Sequence, residues 1–236
     1  MRTGIALTFD LIKKGGFMKN KLGLFIKMAT KDKVSLSRVT LESKIDISIE
    51  NSQRREYKIQ TGNKFFNHML TGIASRACLN FDISYIPTVA EPLDHVVVED
   101  TGLALGRAIR EMLDARKENG VNQRGFYTVA FDEALVAVTL AFDGRAYAFL
   151  RNEVPGMKLE YVEDILSTNL RQFFDGFSQG SGCVVQIQFF AGDDSHHTWE
   201  ATFKAFGEAL RDALGPCTYR AGTTIGLKGT GMERKL

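Results

Sequence analysis

Two segments of the chain carry histidine and glutamate at the same spacing. His95 and Glu99 are four residues apart, and the same spacing returns 101 positions later in His196 and Glu200. Residues four apart share one face of an α-helix, so each pair can point at a common position in space. Imidazole and carboxylate groups suit a divalent transition metal such as manganese, iron or zinc. The spacing therefore predicts metal ligands on two separate helices.

Repetition makes this pattern stronger than one surface pair, because a single such pair is most often an exposed part of a helix. Both segments continue with glycine and arginine at matching positions, Gly106 with Arg110 and Gly207 with Arg211. Together they hold three of the four histidines of the chain, and the fourth is His68. We infer a duplicated unit that carries chemistry in both copies.

Composition limits the class of protein. The chain has 236 residues, of which 44% are hydrophobic, enough for one large core or two halves of about 100 residues each. Charged residues make up 25% and the net charge is +2, so neither a nucleic-acid nor a membrane partner is expected. The three cysteines are odd in number and widely spaced, which argues against a disulfide framework. We expect a cytoplasmic protein.

The two ends of the chain differ from the rest. Residues 1–36 are basic, with lysines spread among short apolar pieces, and they lack the uninterrupted apolar core of a secretory signal. We expect a disordered extension, and two interpretations stay open: Met18 or Met28 is the true start, or the segment is an amphipathic tail used in assembly. Residues 222–236 are rich in glycine and predict a mobile tail.

Apolar periodicity divides the remainder into two halves, residues 37–122 and 123–221. The elements predicted in the first half are strands within 37–61, a helix over 65–78, a strand over 81–86 and a helix over 94–115. Those predicted in the second half are strands over 131–140 and 145–150 joined by a hairpin turn at Asp143–Gly144, a helix over 163–177, a strand over 183–190 and a helix with Ser195 as its N-cap. Each half would bury one face of a mixed or mostly antiparallel sheet under two helices, an α+β fold.

Several motifs then occur in an order typical of one family. They are Arg38–Ser43, Thr61–Gly62, Phe66–Leu70, Asp94–His95, Glu99–Asp100, Gly120–Arg124, Phe131–Leu135, Gly144–Arg145, His196–His197 and Glu200–Ala205. Through them the chain from about Ser37 to Gly229 resembles the imidazoleglycerol-phosphate dehydratases, enzymes of histidine biosynthesis.

The resemblance implies a fold, an assembly and a reaction. The fold would have two pseudo-symmetric halves, each a sheet with helices on one face, similar to domain 2 of ribosomal protein S5. The family forms trimers and then a 24-subunit homo-oligomer around paired manganese ions. Its members are hydro-lyases that convert imidazole glycerol phosphate, a small phosphorylated substrate, to imidazole acetol phosphate.

The resemblance also implies roles for individual residues. Glu42 would be the general base that removes the proton next to the imidazole ring. Four cations would bind the substrate phosphate: Arg124, Arg145, Lys204 and Lys228. Six of the eight ligands of the family's two ions are kept: His68, His95, Glu99, His196, His197 and Glu200.

Two ligand positions depart from the family pattern. Val96 stands where the family has the second histidine of a His-His pair, and Gln172 stands where it has another histidine. Valine donates no electron pair, and an amide oxygen is a weaker ligand than imidazole for manganese or another divalent transition metal. If both losses fall on one ion, one site stays complete and the other keeps two ligands. We expect one well-made metal site, a retained phosphate pocket and a compromised or absent second site.

These departures leave more than one function open. The first hypothesis is the family's dehydratase reaction at reduced rate. The second is a divergent paralogue that binds a phosphorylated ligand with little or no dehydration. The third is a single-metal enzyme for another phosphorylated substrate, because the lost histidines are those that would face the imidazole ring.

Overall fold

The computed structural model describes residues 21–226. The first half contains β1 (Gly23–Ala29), β2 (Lys33–Val39), β3 (Ser43–Glu50), β4 (Lys58–Gln60), α1 (Lys64–Ala77), β5 (Asn80–Pro87) and α2 (Asp94–Arg116). The second half contains β6 (Arg124–Phe131), β7 (Ala134–Ala141), β8 (Tyr147–Arg151), β9 (Tyr161–Val162), β10 (Ile165–Leu166), α3 (Ser167–Ser181), β11 (Val184–Ala191) and α4 (Ser195–Ala213).

The two main sheets have the same topology. The first has the order β1-β2-β3-β5-β4 and the second the order β6-β7-β11-β8. In both, neighbouring strands are antiparallel except the last pair, β4 with β5 and β8 with β11, which is parallel. Apart from the added β1 and the β9–β10 hairpin, each half therefore repeats the other strand for strand, so the duplication and the α+β class expected from the sequence are confirmed.

The four helices lie between the two sheets. Helices α1 and α2 contact the first sheet, and α3 and α4 contact the second. Between the layers α1 packs on α4 and α2 packs on α3, so each helix pair joins the two halves. Glycine permits the closest approach: a Cβ on Gly102 would lie 2.3 Å from the carbonyl oxygen of Phe173, and a Cβ on Gly176 would lie 2.2 Å from that of Glu99.

Aromatic side chains fill the space between the helices. Phe173, Phe174 and Phe177 of α3 are fully buried and stack in edge and tilted contacts on Phe203 and Phe206 of α4. Burial of each ring contributes about 2–3 kcal/mol, so these rings hold the helices that carry the candidate ligands in fixed register. No helix among residues 21–226 is long and apolar enough to span a membrane.

Three predicted elements of the second half differ from the structure. The hairpin at Asp143–Gly144 is wrong, because β8 crosses over and pairs with β11 in parallel, away from β7. The strand predicted over 131–140 is β7, which begins only at Ala134 because Asp132–Glu133 form a tight turn, and the strand before that turn, β6, was not predicted. The helix predicted to start at Glu163 starts at Ser167, because the β9–β10 hairpin occupies residues 161–166.

Two end assignments also change. The N-cap of α4 is Asp194, whose side chain accepts a hydrogen bond from the His197 amide, and Ser195 is the first helical residue. Strand β1 and the start of β2 pair within the first sheet, so residues 23–36 are not a disordered extension. Most of the predicted mobile tail, residues 227–236, lies outside the described residues, as do residues 1–20.

Candidate functional site

Three predicted ligands converge between α1 and α4. His68, His196 and Glu200 each offer one ligand atom, and these atoms all lie within 4.8 Å of one another. The Nε2 atoms of His68 and His196 lie 3.2 Å and 3.0 Å from Oε2 of Glu200. Two imidazoles and one carboxylate fit a divalent transition metal, and three protein ligands leave a position open for water or substrate. We call these residues the α1–α4 triad.

Local structure explains how α1 presents His68. The helix begins after Asn63, whose side chain accepts from the Phe66 amide. Asp164, in the β9–β10 hairpin of the other half, accepts from the amides of Lys64 and Phe65 at 2.9 and 3.0 Å. A carboxylate at a helix N-terminus satisfies free amides and complements the helix dipole. The hairpin therefore fixes α1 against the second half, one turn before His68.

The same hairpin supplies a residue that sequence analysis missed. Glu163 accepts from Nδ1 of His196 at 2.9 Å, while Nε2 of His196 faces Glu200. A carboxylate on one ring nitrogen fixes the tautomer and orientation of a ligating histidine. Glu163 lies in a turn with φ 50°, whereas the sequence placed it at the start of a helix. Nothing in its spacing from His196 could have indicated the contact.

Lys204 lies beside the triad. Its Nζ is 2.7 Å from Oε1 of Glu200 and 3.6 Å from the centre of the Phe131 ring. Although burial raises the pKa of Glu200, hydrogen bonds from Lys204 and His68 outweigh it and lower that pKa. The carboxylate is thus kept ionised, the form that binds a metal.

His197 points away from the triad of its own chain. Its Nδ1 lies 2.8 Å from Glu133 and its Nε2 lies 3.4 Å from Asp132, both in the turn between β6 and β7. Backbone amides of Asp194 and Asp193, together with His197, hold the pKa of Glu133 at about 2. His197 has a raised pKa, chiefly because it bonds to Glu133. It is therefore held at the surface of the described chain.

His95 and Glu99 form no comparable cluster among the described residues. Helices α1 and α3 both end at a C-cap residue in the left-handed conformation, Cys78 and Gly182. His68 and Gln172 lie the same number of residues before these caps, so Gln172 is the counterpart of His68. His95 and Glu99 likewise correspond to His196 and Glu200. The counterpart of the α1–α4 triad is therefore Gln172, His95 and Glu99, which we call the α2–α3 set.

This correspondence shows that the two departures from the family pattern, Gln172 and Val96, do not belong to the same set of ligands. Gln172 belongs to the α2–α3 set, whereas Val96 is the counterpart of His197, which faces away from the triad of its own chain. Val96 is 8% exposed.

Three of the four expected phosphate-binding cations lie at two ends of the second sheet. Arg124, 2.7 Å from Asp143, begins β6, and the exposed Arg145 lies just before β8 at the same end. Gly226 packs against Asp143 at this end, and Lys228 lies outside the described residues. Lys204 contacts Phe131 at the other end of β6, about 24 Å away at strand rise.

Glu42 lies in the turn between β2 and β3 and is exposed. Its amide donates to the Thr40 hydroxyl at 3.1 Å, and its carbonyl accepts from the Thr88 amide at 2.9 Å. Ser43 donates to Asp100 of α2 at 2.8 Å, which ties the turn to the helix that carries His95. The turn borders a cavity of about 140 Å³.

Comparison with known proteins supports one family. The family model described as imidazoleglycerol-phosphate dehydratase matches residues 61–210. A Microcystis aeruginosa protein named imidazoleglycerol-phosphate dehydratase is 34% identical over 197 residues, 84% of this chain and 91% of that protein. An Arabidopsis thaliana protein named imidazoleglycerol-phosphate dehydratase 1, chloroplastic, is 35% identical over 195 residues, 82% of this chain and 70% of that protein.

Solved structures share the fold. The imidazoleglycerol-phosphate dehydratase of Staphylococcus aureus superposes with a TM-score of 0.66 at 27% identity, covering 82% of this chain and 99% of that one. The Pyrococcus furiosus structure in complex with (S)-C348 gives 0.67 at 27% identity, with the same two coverages. By sequence and by fold, this chain belongs to the imidazoleglycerol-phosphate dehydratase family.

Proposed function

We propose that this chain is a metal-dependent hydro-lyase that converts imidazole glycerol phosphate to imidazole acetol phosphate in histidine biosynthesis. Family membership is the basis for assigning this reaction. The convergence of His68, His196 and Glu200 from two halves of the chain is the structural observation that supports it most directly. We place the enzyme in the cytoplasm and expect manganese, or another divalent transition metal, as its cofactor.

The metal and Glu42 have different roles in the proposed reaction. The metal, when bound, supplies a Lewis acid that makes the substrate's imidazole ring able to accept electrons. Glu42 takes the proton from the carbon next to the ring as general base. Its exposure and its tether through Ser43 to α2 support this role, because a base must be both accessible and fixed.

We propose one firmly held ion for each chain, at the α1–α4 triad. That set keeps all three of its ligands, and Glu163 and Lys204 support two of them. The α2–α3 set offers glutamine where its counterpart has His68, and an amide oxygen is a weak ligand. Val96 adds no ligand, so a second ion would be held weakly.

We propose that neighbouring copies complete each site. Lys204 and the pair Arg124 and Arg145 lie too far apart in one chain to bind one phosphate. His197 is held at the surface by Glu133 and Asp132, where another copy can reach its imidazole. A homo-oligomer that joins opposite ends of the second sheet would unite these groups.

A second candidate is a divergent paralogue that binds a phosphorylated ligand with little or no dehydration. The glutamine at position 172 and the valine at position 96 favour it. Growth of a histidine auxotroph that lacks its dehydratase separates the two candidates. Failure to restore growth at good expression would favour the paralogue.

The metal proposal has a matched pair of variants. Because Glu200→Gln removes an anionic ligand from the complete set, we expect loss of the bound ion and a fall in dehydratase rate of at least about a hundredfold. Glu99→Gln makes the same change in the incomplete set and should leave the bound ion in place. The measurement is metal content per chain by mass spectrometry together with turnover. Equal metal loss in both variants, or two firmly held ions in the wild type, would contradict the proposal.

A further inference from the structure

The duplication lets each half serve as a reference for the other, and the halves differ beside the turn that contains Glu42. In the first half a polar group lies between β2, β3 and α2, and we call it the turn cluster: Arg38, Ser43 and Asp100. Strand register and the 101-residue repeat identify the counterparts of these residues in the second half. All three counterparts are apolar: Val129, Ala134 and Ala201. The same packing of a sheet against a helix therefore forms without a polar cluster.

One carboxylate oxygen of Asp100 joins the turn cluster. Its Oδ2 accepts from the Ser43 hydroxyl at 2.8 Å and lies 2.7 Å from Nη1 of Arg38. The side chains of Arg38 and Asp100 are only 20% and 13% exposed, and Ser43 is fully buried. Removing two opposite charges from water opposes the gain from their attraction, so apolar residues at such positions are often at least as stabilising. Stability of the fold therefore does not account for the cluster.

The turns that contain Glu42 and Glu133 are held in different ways. The carboxylate of Glu133 accepts from the amides of Asp193 and Asp194 at 3.2 and 2.8 Å, so that turn is fixed through the glutamate itself. By contrast, the hydrogen bonds of Glu42 within residues 21–226 all belong to its backbone. The Glu42 carboxylate is left free for chemistry, and its turn is fixed through the next residue, Ser43, which is bonded to α2.

We propose that Asp100 is a positioning residue for Glu42, and that Arg38 holds the Asp100 carboxylate in place for this role. Helix α2 also contains His95 and Glu99, so the turn cluster fixes Glu42 relative to that helix. A small displacement of a general base from the reacting carbon lowers the rate strongly, which gives a reason to keep a buried charge pair here. The role of Glu42 as base rests on the proposed function, whereas the restraint on its turn does not.

The first test compares Ser43→Ala with Ser37→Ala. Ser43→Ala introduces the residue that the second half has at this position. Ser37 donates to Asp46 on the opposite face of the same two strands, so its variant loses the same type of bond away from Glu42. The thermal midpoints of the two variants should therefore fall by similar amounts.

Their kinetics should differ. We expect kcat of Ser43→Ala to fall about ten- to hundredfold, with KM within about twofold of the wild type and metal content unchanged. Substrate deuterated at the carbon next to the imidazole ring should give a larger isotope effect on kcat in this variant, because removal of that proton becomes the slow step. Ser37→Ala should match the wild type in kcat and in the isotope effect. Equal kcat in the two variants would overturn the inference.

A second variant removes both charges together. Arg38→Val with Asp100→Ala introduces the residues of the second half and leaves no charge without its partner. We expect its thermal midpoint to stay close to that of the wild type, while kcat falls as in Ser43→Ala. A large fall in the midpoint, with kcat of the folded protein retained, would show that the cluster serves stability and would contradict the inference.

Hydrogen–deuterium exchange of residues 40–43 measures the restraint on the turn without turnover. These amides should exchange faster in Ser43→Ala than in the wild type or in Ser37→Ala, and equal exchange in all three proteins would refute the positioning role. A wild type that does not dehydrate imidazole glycerol phosphate would refute the proposed function. Faster exchange in Ser43→Ala would in that case leave the restraint of Glu42 by the turn cluster standing.

Discussion

At the scale of residues, the site depends on side chains that hold the ligands as well as on the ligands. Glu163 and Lys204 each contact one member of the α1–α4 triad, and neither belongs to the repeated histidine and glutamate pattern. Glu163 sets the orientation of His196, and Lys204 keeps Glu200 ionised. The triad is therefore organised before a metal binds, which lowers the cost of ordering its ligands.

Glu163 gives a prediction at this scale. Glu163→Asn should keep the turn, because asparagine tolerates positive φ, but its shorter side chain cannot reach His196. We expect metal affinity to fall about tenfold to a hundredfold, measured by competition with a chelator. Glu160→Asn, in the same loop, provides the control and should bind metal like the wild type. Unchanged affinity in Glu163→Asn would mean that packing alone orients His196.

At the scale of elements, the helix pairs that cross between the halves decide where ligands meet. Helix α1 packs on α4 and α2 on α3, so each ligand set draws on both halves. The two pairs are built differently. Four glycines bring the backbones of α2 and α3 together, since an added Cβ would lie 2.0–2.3 Å from a carbonyl oxygen of the facing helix. In the α1–α4 pair a Cβ on Gly207 would lie 2.8 Å from the Ile73 carbonyl oxygen, and one on Gly72 would lie 4.0 Å from Cγ of Lys204.

This difference predicts opposite effects at equivalent positions. Gly176→Ala places a Cβ 2.2 Å from the carbonyl oxygen of Glu99, and we expect the free energy of unfolding to fall by about 1–3 kcal/mol. Gly72→Ala, its counterpart, makes only an ordinary van der Waals contact with Lys204 and should raise that energy by up to about 1 kcal/mol through helix propensity. Chemical denaturation measures both. Equal effects would show that the crossing of α2 and α3 relaxes freely.

At the scale of the whole molecule, duplication produced two sets of ligands that have since diverged. The α1–α4 triad is complete, and the α2–α3 set has glutamine for histidine. The position after the first ligand histidine of each helix is histidine in the second half, His197, and valine in the first half, Val96. Such asymmetry leaves one complete and one incomplete ligand set in each chain.

Restoring the symmetry is a test of the whole assembly. The double variant Val96→His with Gln172→His supplies both missing imidazoles, and we expect the firmly bound metal to rise from one to two ions per chain. Metal analysis with sizing by light scattering checks this expectation. A metal content that stays at one would show that the α2–α3 set is lost for other reasons.

The family, the α+β class, the repeat and the predicted ligand residues followed from the sequence. Few types of side chain bind a transition metal, and the i,i+4 spacing that places two of them on one face of a helix can be read directly from the sequence. His68 lies in the other half of the chain from His196 and Glu200, so no local spacing links it to them. Only the resemblance to the family marked it as a ligand.

Tertiary structure decided the remainder. Only the packing of α1 on α4 showed that His68 meets His196 and Glu200. The equivalent packing of α2 on α3 assigned Gln172 to the set with His95 and Glu99. The contact of Glu163 with His196, the outward pairing of His197 and the cavity beside Glu42 arise where hairpins and turns pack on elements distant in sequence. Contacts of that kind depend on how whole elements pack, and periodicity along the chain carries no record of them.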